Sequence, residues 1–114
     1  MNNDRILKNT AGYDAYLSQK LKDPHFAQNY LETALEDYEK DGDTEAFLFA
    51  MRDVAQAQGG IGQLAKRTAV SREHLYDILA SKHQPRLDTV LSILSALGYR
   101  FRLERQPFIG EVRQ

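Results

Sequence analysis

Ser71, Arg72, Glu73 and Tyr76 fall within two turns' length of one another, and each carries a group that can bond a nucleobase or a phosphate. The Arg72 guanidinium offers paired N–H donors that match guanine O6 and N7, the commonest specific contact in the DNA major groove. Glu73 provides an acceptor for the cytosine amine. Tyr76 is long enough to touch a base or the backbone. Ser71 can cap a helix and also donate to a phosphate. Lys82, His83, Gln84 and Arg86 come next in the chain, placed to meet the phosphates that flank a groove. Lys66 and Arg67 are weaker candidates for the same role. Each of these side chains taken alone also has a reading as a solvated surface group, one that Arg72 favours least and Lys66 and Arg67 fit about as well as a binding role. Their concentration at one helix start is what favours nucleic acid.

Such side chains need a scaffold that aims them, and residues 64–81 describe one. Leu64 and Ala65 belong to the buried side of a short helix, Val70 to a tight turn, and Leu75, Ile78 and Leu79 to one stripe of a second helix that opens on Ser71. That stripe leaves Arg72, Glu73, Tyr76 and Asp77 facing outward near the helix start. A helix held this way can enter the major groove N-terminus first.

The rest of the chain reads as helices with clear punctuation. Residues 1–11 are polar and expected to be disordered. Tyr13, Tyr16, Leu17 and Leu21 recur at helical spacing over residues 12–22. Asp23-Pro24 is a strong helix start, with Asp23 as cap and Pro24 at the first helical position, where no N–H is needed. Phe26, Ala27, Tyr30, Leu31, Ala34, Leu35 and Tyr38 then form an apolar face, opposed by Gln28, Glu32, Glu36 and Glu39. Asp43 caps a third helix to about Gln58, with Phe47, Leu48, Met51, Val54 and Ala55 inward, and Gly59-Gly60 ends it. After a loop over 81–86 fixed by Pro85, a last helix turns Leu87, Val90, Leu91, Leu94 and Leu97 inward and stops at Gly98. Tyr99, Phe101 and Leu103 then alternate with Arg100, Arg102 and Glu104, the pattern of a strand. A lone strand in a helical chain has an open edge that invites another chain. Pairing of residues 99–104 with the same segment of a second copy is therefore expected, the alternative being a loosely docked tail. Residues 106–114 form a tail.

Composition bounds the function. The 114 residues are 42% hydrophobic and 27% charged, enough for one folded domain. Cysteine is absent, which removes disulfides and thiolate metal sites. The start of the chain lacks the apolar stretch of a secretion signal and no run approaches a membrane span, so a cytoplasmic protein is the simplest expectation. The net charge of −1 conceals an asymmetry: residues 1–58 balance at −5 and residues 59–114 at +4. An acidic part that meets a basic protein and a basic part that meets phosphate would explain this, although solvated faces also differ by chance.

Three other chemistries fail on context. Gly60-Ile61-Gly62-Gln63-Leu64-Ala65 fits a dinucleotide-binding pattern, but no strand precedes it and no βαβ unit surrounds it. No cofactor is expected. His25, His74 and His83 lack metal-ligand spacing. The carboxylates spread over helix faces with no acid–base pair among them, so an enzyme is not expected.

Residues 59–98 resemble the five-helix repressor fold of lambda-type regulators, with an Xre-like helix-turn-helix. The likeness rests on Leu64-Ala65-Lys66-Arg67-Thr68, Val70-Ser71 and the spacing from Pro85 and Leu87 to Ala96-Leu97-Gly98. A longer string is similar to the addiction-module antidote proteins, the HigA-like antitoxins of toxin–antitoxin operons. It comprises Leu21-Lys22-Asp23-Pro24, Tyr30-Leu31, Ala34-Leu35-Glu36, Phe47-Leu48, Val70 to Glu73, Leu75-Tyr76 and Arg86 to Val90, covering about residues 13–104. The resemblance implies an all-α, lambda-repressor-like bundle of five or six helices with an acidic helical extension over 12–58, a helix-turn-helix region over 59–98 and a C-terminal strand over 99–105. It further implies a homodimer, double-stranded operator DNA as ligand, and a basic RelE/HigB-like RNase toxin as partner; the lone-strand reading places the dimer contact at Tyr99, Phe101 and Leu103. A stand-alone or prophage-type regulator without a toxin is the alternative, and a purely structural module is a third reading. The chain departs from the repressor pattern at three positions. Ile61 stands where a phosphate-holding glutamine is common, Ala69 replaces the usual turn glycine, and Arg86 replaces a small hydroxyl residue.

Overall fold

The computed structural model describes residues 11–80 and 84–107. Among them are six helices and no strand. They are α1 (Ala11–Lys20), α2 (Pro24–Asp41), α3 (Thr44–Ala57), α4 (Gly60–Lys66), α5 (Arg72–Leu79) and α6 (Leu87–Ala96). The expected disordered N-terminus, apart from Ala11, and most of the C-terminal tail lie outside the described residues.

Side chains and glycines set the boundaries. The Asp23 carboxylate accepts from the His25 N–H at 3.2 Å and Pro24 opens α2. Asp43 accepts from the Ala46 N–H at 3.1 Å and opens α3. Between them Gly42 closes α2 at φ +70°, a conformation that costs other L-residues on the order of 1 kcal/mol. At the end of α6, the Gly98 N–H donates to the Ser95 carbonyl and the Tyr99 N–H to the Leu94 carbonyl, with Gly98 at φ +97°. This is the Schellman arrangement.

Helix α3 is the centre of the domain and packs against α1, α2, α4 and α5. Phe47, Leu48, Ala50, Met51, Val54 and Ala55 are all buried along it. Leu21, Ala27 and Leu31 close on it from the N-terminal side, and Ile61, Leu64, Leu75, Ile78 and Leu79 from the other. Each large apolar side chain removed from water contributes roughly 1.5–3 kcal/mol. No helix among the described residues is long and apolar enough to cross a membrane.

Two expectations need correction. Helix α6 buries Ile93, Leu94 and Leu97 with Val90 alongside, whereas Leu87 is 68% and Leu91 39% exposed. Its sequence carries two overlapping stripes, and the core takes the one through Ile93. The C-terminal segment is the second correction. Residues 99–106 follow α6 without forming a strand, because one chain supplies no second strand to complete a ladder. Tyr99 folds back, its hydroxyl donating to the Pro24 carbonyl at 3.1 Å. Phe101 is 38% exposed and Leu103 entirely so.

Candidate nucleic-acid interface

The short helix α4 opens on two glycines in the left-handed region, Gly59 as its N-cap at φ +117° and Gly60 as its first residue at +91°. They swing the chain sharply off the end of α3. Ile61 and Leu64 then anchor α4 in the core. Burial of Ile61 explains how the chain does without a polar residue there: the position serves packing.

Thr68 holds the turn into α5. Its hydroxyl accepts from the Val70 N–H at 3.0 Å and faces the Val70 carbonyl at 3.2 Å. Side-chain bonds of this kind offer the backbone an alternative to helix, which is why α4 stops here. Ser71 then caps α5, accepting from the His74 N–H at 3.1 Å with its backbone extended.

Helix α5 is clamped along one side, with Leu75, Ile78 and Leu79 between 0% and 2% exposed. The other side carries Arg72, Glu73, His74 and Tyr76 in solvent, and Asp77 half-buried. Of the four side chains expected to face outward, Arg72, Glu73 and Tyr76 are exposed, Tyr76 by about half, and Asp77 is half-buried. The Arg72 guanidinium lies over the Tyr76 ring, 5.7 Å from its centroid. This stack, one turn apart on the helix, holds both groups on the same exposed surface.

The flanking candidates divide. Arg86 is exposed and makes a two-point pair with Asp88, Nε to Oδ1 at 3.2 Å and Nη2 to Oδ2 at 3.3 Å. The pair holds the Asp88 carboxyl below the usual carboxylate range and raises the guanidinium further. Gln84 leans toward α3, its amide donating to the Thr44 hydroxyl at 3.5 Å. Lys82 and His83 lie outside the described residues. Lys66 and Arg67 are exposed at the C-terminal end of α4, Lys66 in its last turn and Arg67 as its C-cap.

Besides the Arg86–Asp88 pair, two further features near these helices escaped sequence reasoning. Tyr30 donates its hydroxyl to Asp53 Oδ2 at 2.6 Å, tying α2 to α3. Burial raises the Asp53 carboxyl above its ordinary range, although the hydrogen bond pulls the other way, and burial together with Asp53 raises the Tyr30 phenol. The partners are 23 residues apart, so no local spacing announces them. The outward Leu87 and Leu91 are the second feature. With Pro85, Val90 and Phe101, Leu87 lines an apolar groove of about 230 Å³ that also reaches Leu35 and Tyr38. The alternative stripe on α6 was a signal for it.

Comparison with known proteins adds a family. Residues 10–105 match the model of a family described as "Probable addiction module antidote protein". An uncharacterized protein of Haemophilus influenzae is 27% identical over 97 residues, which cover 81% of this chain and 99% of the relative. No solved structure matches. A family match that runs from the first helix through the last and on to Arg105 takes in the whole helical core, and the chain belongs to the addiction module antidote family.

Proposed function

We propose that the chain is the antitoxin of a type II toxin–antitoxin module that binds operator DNA, represses its own operon and neutralises a RelE/HigB-like RNase. In this reading α4 and α5 act as an Xre-type helix-turn-helix and α5 enters the major groove. The observation that carries it is the two-sidedness of α5. Leu75, Ile78 and Leu79 are fully buried while Arg72, Glu73 and Tyr76 project from the capped N-terminal end. Arg72 reads guanine, Glu73 and Tyr76 reach neighbouring bases, and Ser71 meets a phosphate. Arg86 exchanges Asp88 for a backbone phosphate, and Lys82, His83 and Gln84 contribute from the loop before α6.

Two copies pair through Tyr99, Phe101 and Leu103, extended by the outward Leu87 and Leu91 of α6. The pairing covers apolar surface that the single chain leaves wet and spaces two reading helices about 34 Å apart, one DNA turn. The protein acts by binding alone and works in the cytoplasm, where both its operator and its toxin are found.

A fluorescence-anisotropy titration of the intact chain against the promoter duplex upstream of its gene tests this directly. Affinity at least a hundredfold above that for a scrambled duplex is expected, falling steeply with salt. Equal affinity for both duplexes overturns the reading.

A further inference from the structure

Eight large hydrophobic side chains stand exposed among the described residues, and they fall into three groups. Tyr76 sits on the DNA-reading side of α5. Tyr38, Leu87, Leu91, Phe101 and Leu103 surround α6 and the segment after it. Tyr16 and Phe49 remain, on α1 and α3, and neither of the two roles already proposed uses them.

Phe49 is 51% exposed although Leu48, Ala50 and Met51 beside it are buried. It belongs to the outward side of α3 with Glu45, Arg52 and Gln56, and the Arg52 guanidinium lies over its ring at 5.1 Å. A cleft opens on each side of it. One, of about 430 Å³, has Asp43, Glu45 and Ala46 on one wall and Leu79 and Ala80, at the end of α5, on the other. The second, of about 660 Å³, runs between α1 and α3 and is lined by Tyr13, Asp14, Leu17, Tyr30 and Asp53. The exposed Tyr16 adjoins this cleft through its contact with Tyr13, the ring centroids 6.4 Å apart. An aromatic anchor beside ready-made clefts is the arrangement in which a few residues carry most of an interface's energy.

Charge selects the occupant. Among the described residues, Asp14, Asp43, Glu45 and Asp53 border the two clefts, against one basic lining side chain, Arg52, which is stacked on Phe49, with Lys20 nearby over the Tyr16 ring at 5.8 Å. The apolar surface near α6 has the opposite character, with Arg100 and Arg102 beside Phe101. The outer side of α2 is acidic too, through Glu32, Glu36 and Glu39, but lacks a large apolar side chain at its centre; the nearby Tyr38 ring rests against Phe47. Among the described residues, only around Phe49 do an exposed aromatic, adjoining clefts and an acidic border coincide.

We infer that the face of α1 and α3 centred on Phe49 docks the toxin, whose matching surface is basic. The inference rests on the proposed antitoxin role and adds the place of contact. It also sets the geometry of coupling. One cleft is walled by the C-terminal end of α5, so a docked toxin lies at the far end of the same helix whose first turn reads DNA. Eight residues of helix span only about 12 Å. Toxin and operator are then neighbours across one short element.

The test uses the full chain and, as probe, the protein encoded by the short reading frame adjacent to its gene, in calorimetric titration. Phe49→Glu is expected to weaken binding about 30-fold or more, and Glu45→Lys about tenfold with a slower association rate. Glu36→Lys, on the acidic side of α2, is expected to leave affinity within about threefold. Matched melting curves show that the variants fold. If the unmodified chain binds and Phe49→Glu binds equally well, the docking face is wrong while the antitoxin role stands. If Glu36→Lys weakens binding as much as Glu45→Lys, the contact belongs on α2. If the unmodified chain does not bind the probe, the antitoxin role falls and the docking face falls with it.

Discussion

Replacing Arg72 with alanine separates base reading from simple charge attraction. Its guanidinium is exposed and touches the chain chiefly through the Tyr76 ring, 5.7 Å away. An exposed cation–π contact of this kind is worth about 0.5–1 kcal/mol, so Arg72→Ala should lower the melting temperature by only a few degrees. A two-point contact to guanine is worth about 1–3 kcal/mol of discrimination, which converts to a loss of about 5- to 150-fold in operator affinity. Binding to a scrambled duplex should change far less. Arg72→Lys sharpens the comparison, because it keeps the positive charge and loses the planar fork. Anisotropy titrations of the three proteins on both duplexes across a salt series read all of this. If Arg72 addresses a base, alanine and lysine variants lose operator affinity alike and lysine retains the salt slope. Full rescue by lysine, or equal losses on both duplexes, would refute base reading and leave Arg72 as a phosphate contact. No loss on either duplex would show that α5 meets DNA through another surface or not at all.

Other substitutions probe separate links. Ser71→Ala removes the cap of α5 and should cost about 1 kcal/mol in urea denaturation, whereas Ser71→Asp should hold stability and still weaken operator binding several-fold by repelling phosphate. A stable Ser71→Asp protein with undiminished affinity would place the cap away from the backbone. Phe101→Glu should shift sedimentation from dimer toward monomer, and Leu91→Glu should do the same; an intact dimer in both locates the self-contact elsewhere. Asp53 gives a pH test. Its folded carboxyl is raised above the ordinary 3.8. The stabilisation linked to its proton is therefore full below that value and lost as pH rises through the folded one. Relative to wild type, Asp53→Asn should gain stability across that window, followed by urea denaturation at successive pH values. A difference that stays flat with pH would mean the carboxyl is not raised.

Much of this molecule could be read before any coordinates. Asp23, Asp43 and Ser71 are all caps, and Gly59 and Gly98 both follow helix ends, because capping chemistry is local and needs no knowledge of tertiary contacts. The buried side of α5 was equally legible, since Leu75, Ile78 and Leu79 leave a single solution. Helix α6 was not. In Leu-Asp-Thr-Val-Leu-Ser-Ile-Leu-Ser-Ala, stripes through Leu87 and Leu91 and through Val90 and Ile93 are both helical in period, and only the position of the core chooses. Alternation at Tyr99, Phe101 and Leu103 described a segment able to be a strand, and the pairing that makes a strand is absent from one copy. The Arg86–Asp88 pair and the Tyr30–Asp53 bond were missed for a shared reason: opposite charges and hydrogen-bonding groups are common, and sequence spacing does not show which of them meet. The outward Phe49 could have been found by subtraction, as the aromatic left over once Phe47, Leu48 and Met51 were assigned inward.

The bond from the Tyr99 hydroxyl to the Pro24 carbonyl joins positions 75 residues apart and brings the start of α2 to the end of α6. Everything between them, α4 and α5 included, is enclosed in one large loop. Drawing such a loop shut grows harder only with the logarithm of its length, yet the reward arrives when the last helix docks. A ribosome must therefore release the chain through Tyr99 before that clasp can form. A product cut short before Tyr99 would carry a finished α5 on an unfastened domain, open to proteolysis where α6 ends.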